Sequence, residues 1–301
     1  MATLSWSSRL SHGSDALFRE YGQELENKLV EAGLVKTSDT GQIDWTTATR
    51  SSINTLTAGY LILRFNDTMQ ATAPIYLRID FGTGSSSNFP RIALTVGTGT
   101  DGSGTITGDA KTSQRVWATT GTAPDGLTAR QSWLCVTEGF VGLMWKDYGE
   151  TSTIGGAFFV SRTCDSSGTP SATGAIVNWG SGAVSTIAVR QSLRFAATAD
   201  AYTATTNDVT SAMGINPQGQ VMTAIDGDIQ CALGFITTPR AEPINTVCGV
   251  LENELNQYGT FKATLIGTQE RTYITCNGKM GPFGPISLGD SGAMRCAMLW
   301  E

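Results

Sequence analysis

Near its start the chain carries an amphipathic stretch in which Leu17, Phe18, Tyr21, Leu25, Leu29 and Ala32 recur three and four positions apart, while Arg19, Glu20, Glu24, Glu26, Lys28 and Glu31 fall mostly between them. Side chains at that period share a helix face, so a helix is expected over residues 15–32. Ser14 or Asp15 offers a capping oxygen, Glu24 and Lys28 form an i,i+4 pair of favourable orientation, and Gly33 suits a left-handed stop. An apolar stripe of this kind must be covered. A neighbour is one cover; if the helix docks there, removing residues 1–33 should leave a folded β domain that no longer assembles, whereas loss of β-sheet circular dichroism would place the helix in the protomer's own core.

Beyond a turn-rich link at residues 37–41 the period drops to two. In residues 74–81, Ile75, Leu77, Ile79 and Phe81 point one way and Tyr76, Arg78 and Asp80 the other, the signature of a half-buried strand. Residues 91–96 repeat it with Ile92, Leu94 and Val96, and the more continuously apolar 59–65 precedes them, which predicts a three-strand antiparallel meander. Further strands are expected at 115–119, 132–137, 140–146, 157–162, 175–179, 185–190, 221–225, 229–236, 261–266, 271–276 and 293–300. Many short strands between Gly-rich turns predict a mainly β fold, an antiparallel sandwich or barrel-like architecture with one N-terminal helix. The expected organisation is a helical segment at 1–40, a β domain at 41–195 and a second β region at 196–301, with the polar stretch 196–219 as the boundary unless the whole is one domain.

Composition changes this picture in one respect. Charged residues make up only 15% of the 301 positions, and Gly is abundant at 35 against 9 Pro, so the surface is neutral and rich in hydroxyls and the glycines mark turns. The net charge of -6, with no run of Lys or Arg, disfavours nucleic-acid binding. The first residues lack the apolar core of a secretory signal, and no run approaches the ~18 apolar residues of a membrane span, so synthesis in an aqueous cytoplasm and no membrane span are expected. Cys135, Cys164, Cys231, Cys248, Cys276 and Cys296 are widely spaced, with no Cys-x-x-Cys pair. Buried reduced thiols are expected, and neither a metal nor a cofactor site.

Four patterns invite a functional reading. Gly289-Asp290-Ser291-Gly292 copies the surroundings of a serine-protease nucleophile, but the single histidine, His12, sits in an exposed-looking terminal setting unsuited to a triad base. Gly97-Thr98-Gly99-Thr100-Asp101-Gly102 matches a dinucleotide fingerprint, yet the next residues are β-branched and turn-forming where a helix must begin, so a hairpin is expected. Asp226/Asp228 and Asp101/Asp109 lack the alternating oxygen ligands of a calcium loop and the company of a glycosidase pair. Of the 7 tryptophans, Trp133 and Trp145 lie in apolar strands and are expected in the core, while others exposed together would offer a face for sugars. No residue is assigned a catalytic, cofactor-binding or metal-binding role, and the chain is not read as an enzyme.

Tyr60-Leu61-Ile62-Leu63-Arg64-Phe65, Ile79-Asp80-Phe81-Gly82-Thr83-Gly84 and the C-terminal Met294-Arg295-Cys296-Ala297-Met298-Leu299-Trp300-Glu301, set in a low-charge Thr/Ser/Gly-rich chain with a short N-terminal helix, resemble virion structural proteins of tailed bacteriophages, above all tail and baseplate components. The resemblance implies a β-rich protomer that assembles with itself and with other virion proteins in a ring or fibre, with the virion as its location. It transfers no functional residues. Two alternatives stand beside it: a receptor- or glycan-binding sandwich meeting a host-surface glycan through the loops at 82–88 and 97–108, and a capsid decoration protein.

Overall fold

A computed structural model describes residues 2–8, 13–84, 90–108, 110–112, 130–145, 156–182, 186–196, 213–214, 223–225, 229–236, 242–251, 259–266, 269–280 and 294–301. Their elements run β1 (Ala2–Ser8), α1 (Asp15–Glu31), β2 (Val35–Lys36), β3 (Thr55–Arg64), β4 (Tyr76–Thr83), β5 (Pro90–Gly97), β6 (Gly99–Thr100), β7 (Ile106–Thr107), β8 (Lys111–Thr112), β9 (Arg130–Thr137) and β10 (Phe140–Trp145). They continue with β11 (Gly156–Cys164), β12 (Pro170–Gly182), β13 (Thr186–Ala196), β14 (Met213–Gly214), β15 (Thr223–Ile225), β16 (Ile229–Ile236), β17 (Glu242–Leu251), β18 (Thr260–Ala263), β19 (Arg271–Met280) and β20 (Met294–Leu299). The fold is mainly β with antiparallel sheets, and among the described residues no barrel closes.

Local rules account for the helix. The Ser14 hydroxyl accepts from the Leu17 amide at 3.2 Å, and Gly33, at φ +120°, lets the chain reverse so that the Leu34 amide reaches the Leu29 carbonyl. Lys28 turns to Glu31 at 2.7 Å and not to Glu24, a correction to the expected pairing. A second correction concerns the apolar stripe. Phe18, Tyr21, Leu25 and Leu29 are buried inside this protomer, in one core with Leu61, Leu63, Leu77, Ile79, Phe81, Ile92, Leu94 and Val96. The helix is therefore part of the chain's own core. The period-two segments that come after it leave a broad apolar sheet face in the same chain, and that face is its cover.

The expected meander is present: β3, β4 and β5 are antiparallel neighbours in a five-stranded sheet of order β2-β3-β4-β5-β8, and β4 alternates its burial as its sequence does. Trp45, from the loop before β3, fills the space between helix and sheet, with edge contacts to Phe18 at 5.4 Å and Phe81 at 5.0 Å. Gly22 leaves room for it, since a Cβ there would lie 2.1 Å from the indole ring. The indole Nε1 donates to Glu26 Oε2 at 2.8 Å while Lys36 binds the other oxygen, so Glu26 is buried with both oxygens engaged.

A 13-stranded sheet has the order β1-β9-β10-β11-β12-β13-β19-β20-β17-β16-β14, with β15 on β16 and β18 on β19. One face of β9, β10 and β11 carries Leu134, Val136, Val141, Leu143, Phe158 and Val160 into the core shared with the helix. The other face, with Phe140 and Phe159 stacked at 6.2 Å, meets the far half of the same sheet: Cys135 Sγ lies 3.9 Å from the Trp300 carbonyl, and a Cβ on Gly142 would lie 3.0 Å from Met298 Sδ. The layers are thus the helix with the five-stranded sheet, then β1 and β9–β11, then β17 and β20. Hydrogen bonding joins β1 to β9 across position 40 and β13 to β19 across position 195, the places where domain divisions were expected. The strand anticipated at 115–119 lies outside the described residues, whereas β1 and β17 were not anticipated. No helix among the described residues is long and apolar enough to cross a membrane.

Candidate binding cleft

Several turns of the large sheet end together and enclose a cleft of about 500 Å³. The turn Glu138-Gly139 joins β9 to β10. Gly139 has φ +70°, and a Cβ on it would meet the Arg162 side chain at 2.9 Å, so this tight turn over an arginine stem requires glycine. The next hairpin, between β11 and β12, closes on Asp165, whose Oδ1 accepts from the Ser167 amide at 2.8 Å, the Ser167 hydroxyl at 2.6 Å and the Thr169 amide at 3.0 Å. These bonds, the Ser167 hydroxyl foremost, hold the Asp165 carboxyl below its ordinary range. Asn245 and Thr246 of β17, the segment leading into β19 and the end of β20 complete the wall.

Arg162, one of the lining residues, is held in an ion pair. Arg162 Nε donates to Asp67 Oδ2 at 2.7 Å and Nη2 to Oδ1 at 3.1 Å, and each side chain is 1% exposed. Asp67 sits in the loop between β3 and β4, so this fork ties the five-stranded sheet to the large one. Glu138 reinforces the tie by accepting from the Thr68 amide and hydroxyl, both at 3.1 Å. Behind the wall, Ser161 and Thr246 share a hydroxyl bond of 2.7 Å, Tyr273 donates to the Asn245 carbonyl at 2.6 Å, and Asn245 Nδ2 donates to the Gly168 carbonyl at 3.3 Å. Arg162 Nη1 is buried without a hydrogen-bond partner.

Cys164 also lines the cleft, but burial pushes its thiol up to about 11; Cys135 is driven to about 12 for the same reason. A protonated thiol at neutral pH is a poor nucleophile, so these sulfurs act as small buried hydrophobes. The cleft's chemistry is that of hydrogen-bonding groups with charge of both signs, Arg271 beside Glu138 and Glu301, while Asp67 matches the charge of Arg162.

The residues singled out from sequence fall elsewhere. Ser291, His12, Asp109, Asp226 and Asp228 lie outside the described residues. Gly97–Gly102 leads into the β6–β7 hairpin, with no helix after it; Asp101 Oδ1 accepts from the Thr105 amide at 2.9 Å and the Ser103 amide at 2.8 Å, which holds its carboxyl well below the usual range. That hairpin lies over the outer face of the five-stranded sheet, where Arg78 stacks 4.1 Å above the Tyr60 ring and donates to the Gly104 carbonyl. Trp45 is buried and Trp133 only half-buried, a correction to the expected core position of Trp133; the environment of the Trp145 side chain lies outside what is described. Among the described residues, no group of three His, Cys, Asp or Glu is placed to hold a metal ion. The cleft itself was not foreseen. Its one sequence signal is the polar run Ser161-Arg162-Thr163 closing an otherwise apolar strand.

Comparison of the sequence with protein-family models finds no match, and comparison with curated proteins finds none.

Proposed function

We propose that this chain is a non-enzymatic building block of a tailed-bacteriophage virion, which assembles as a symmetric oligomer in the tail, baseplate or neck. The phage assignment is supported by the resemblance of the sequence segments 60–65, 79–84 and 294–301 to such proteins. The observation that carries the assembly is the outer edge of β1. Among the described residues this strand pairs only with β9 and ends the path of the 13-stranded sheet.

An open edge presents unpaired amide and carbonyl groups to any strand that can align with them. Native edges are usually blunted by Lys, Pro or a bulge. The sequence of β1, Ala-Thr-Leu-Ser-Trp-Ser-Ser, has no charge and no proline, and its seven residues pair with β9 in unbroken register. Two copies of such an edge can pair antiparallel about a two-fold axis, continuing each sheet into the next. A surface low in charge also loses little charge hydration when copies meet.

Light scattering across a concentration series tests this reading, with Ser5→Lys as the variant. Ser5 is exposed, so the fold should tolerate the change, while a lysine on this strand is the kind of charge that blunts an open edge. A defined oligomer that becomes a monomer in the variant, with unchanged circular dichroism, is the expected result. A parent protein that is monomeric throughout, or an oligomer that Ser5→Lys leaves intact, refutes it.

A further inference from the structure

The internal hydrogen bonds do not consume all the polar groups of the cleft. Arg271 makes one bond, Nη2 to Gln269 Oε1 at 3.3 Å, and pairs with no carboxylate among the described residues. Asn245 commits its Nδ2 to Gly168, which leaves Oδ1 as an acceptor, and Glu138 commits Oε2 to Thr68, which leaves Oε1. Arg162 lines the same space with Nη1 unpartnered. The unspent donors of Arg271 and the unspent acceptors of Asn245 and Glu138 thus belong to side chains that line one cavity.

That mixture selects a class of ligand. An anion would meet the carboxylates of Glu138 and Glu301, and a cation would meet Arg271. A hydroxyl group both donates and accepts, so a neutral polyhydroxylated molecule can satisfy every member of the set. Leu299, Ile266 and Pro170 supply apolar lining for the C–H face of a sugar ring. The volume of about 500 Å³ falls within the ~300–1,000 Å³ of small-molecule sites. We infer that this cleft is a binding site for an uncharged sugar residue. The site goes beyond the assembly reading and does not depend on it, because none of its lining residues belongs to β1.

The sugar can come from a surface glycan or be free in solution, and two assays on the full chain separate the sources. Saturation-transfer NMR is run with glucose, galactose, mannose, N-acetylglucosamine and their β-linked disaccharides, and an array presents neutral, sialylated and sulfated glycans. Arg271→Ala and Gln269→Ala remove rim groups without opening the core, and Lys262→Ala, an exposed residue that does not line the cleft, serves as control. The expected result is transfer from at least one neutral sugar, weakened tenfold or more by each rim variant and unchanged by Lys262→Ala. Binding to neutral array glycans as well identifies a surface glycan as the source, and binding to free sugars alone a soluble one. Absence of transfer from every sugar, binding confined to sialylated or sulfated glycans, or affinity unaffected by Arg271→Ala overturns the inference.

Discussion

Removing the Asp67 carboxylate should be among the most damaging single changes available in the described part of the fold. Asp67→Ala leaves the Arg162 guanidinium where it is, 1% exposed, and strips the acceptors from Nε and Nη2, while Nη1 already has none. A charge buried without a partner costs about 3–5 kcal/mol when its mate is deleted. Arg162→Met orphans the Asp67 carboxylate instead and should cost a similar amount. The double variant Asp67→Ala/Arg162→Met removes both charges together, so its cost should fall short of the sum of the two single costs by ~2 kcal/mol or more. The assay is urea unfolding followed in parallel by tryptophan fluorescence and far-ultraviolet circular dichroism, with the slope checked for constancy so that midpoints report stability. Hydrogen exchange should locate the damage, with amides of the 66–73 loop and of the β9–β10 turn losing protection first. Single variants costing less than about 1 kcal/mol, or a double variant whose cost equals the sum, would show that the pair is not the cross-link between the two sheets that its geometry indicates.

The same structure sets two further outcomes. Gly22→Ala places a methyl group 2.1 Å from the Trp45 ring, so the indole must shift away from Phe18, Phe81 and Glu26; a loss of about 1–3 kcal/mol with a changed near-ultraviolet tryptophan spectrum is expected, and an unperturbed melt would contradict the packing. The Asp101 carboxyl is depressed from 3.8 by the amides of Thr105 and Ser103, so its contribution to the β6–β7 hairpin is complete above pH 3.8 and fades as the pH falls through the lower folded value. Carbon-13 titration of that carboxyl, with Asp101→Asn abolishing the acid-induced shift of the Ser103 and Thr105 amides, checks it; an ordinary titration near 3.8 counts against the turn geometry.

The helix, the meander and the Asp101 hairpin were legible because each is written within a few residues. Period and caps mark 15–31, alternation marks β4, and turn chemistry marks Asp101-Gly102. β17 was not legible, because Pro243 and the polar pair Asn245-Thr246 argue against a central strand; the structure accepts Pro243 opposite Phe235 and supplies Asn245 and Thr246 with partners at Gly168 and Ser161. β1 was overlooked although Ala2, Leu4 and Trp6 alternate with Thr3, Ser5 and Ser7, because a strand this short offers only three apolar positions to read.

Local patterns along the chain suffice for the class of the molecule: an N-terminal helix, many short strands, few charges, and turns where glycine and aspartate dictate them. Packing settles that the helix covers its own sheet, that β1 lies beside β9, and that Arg162, in the wall of the cleft, meets Asp67 across 95 positions. The physical reason is the range of the information. Periodicity and capping are local, whereas strand pairing, the burial of a charge and the shape of a cavity depend on which distant segments are brought together, and no window of the sequence contains both partners.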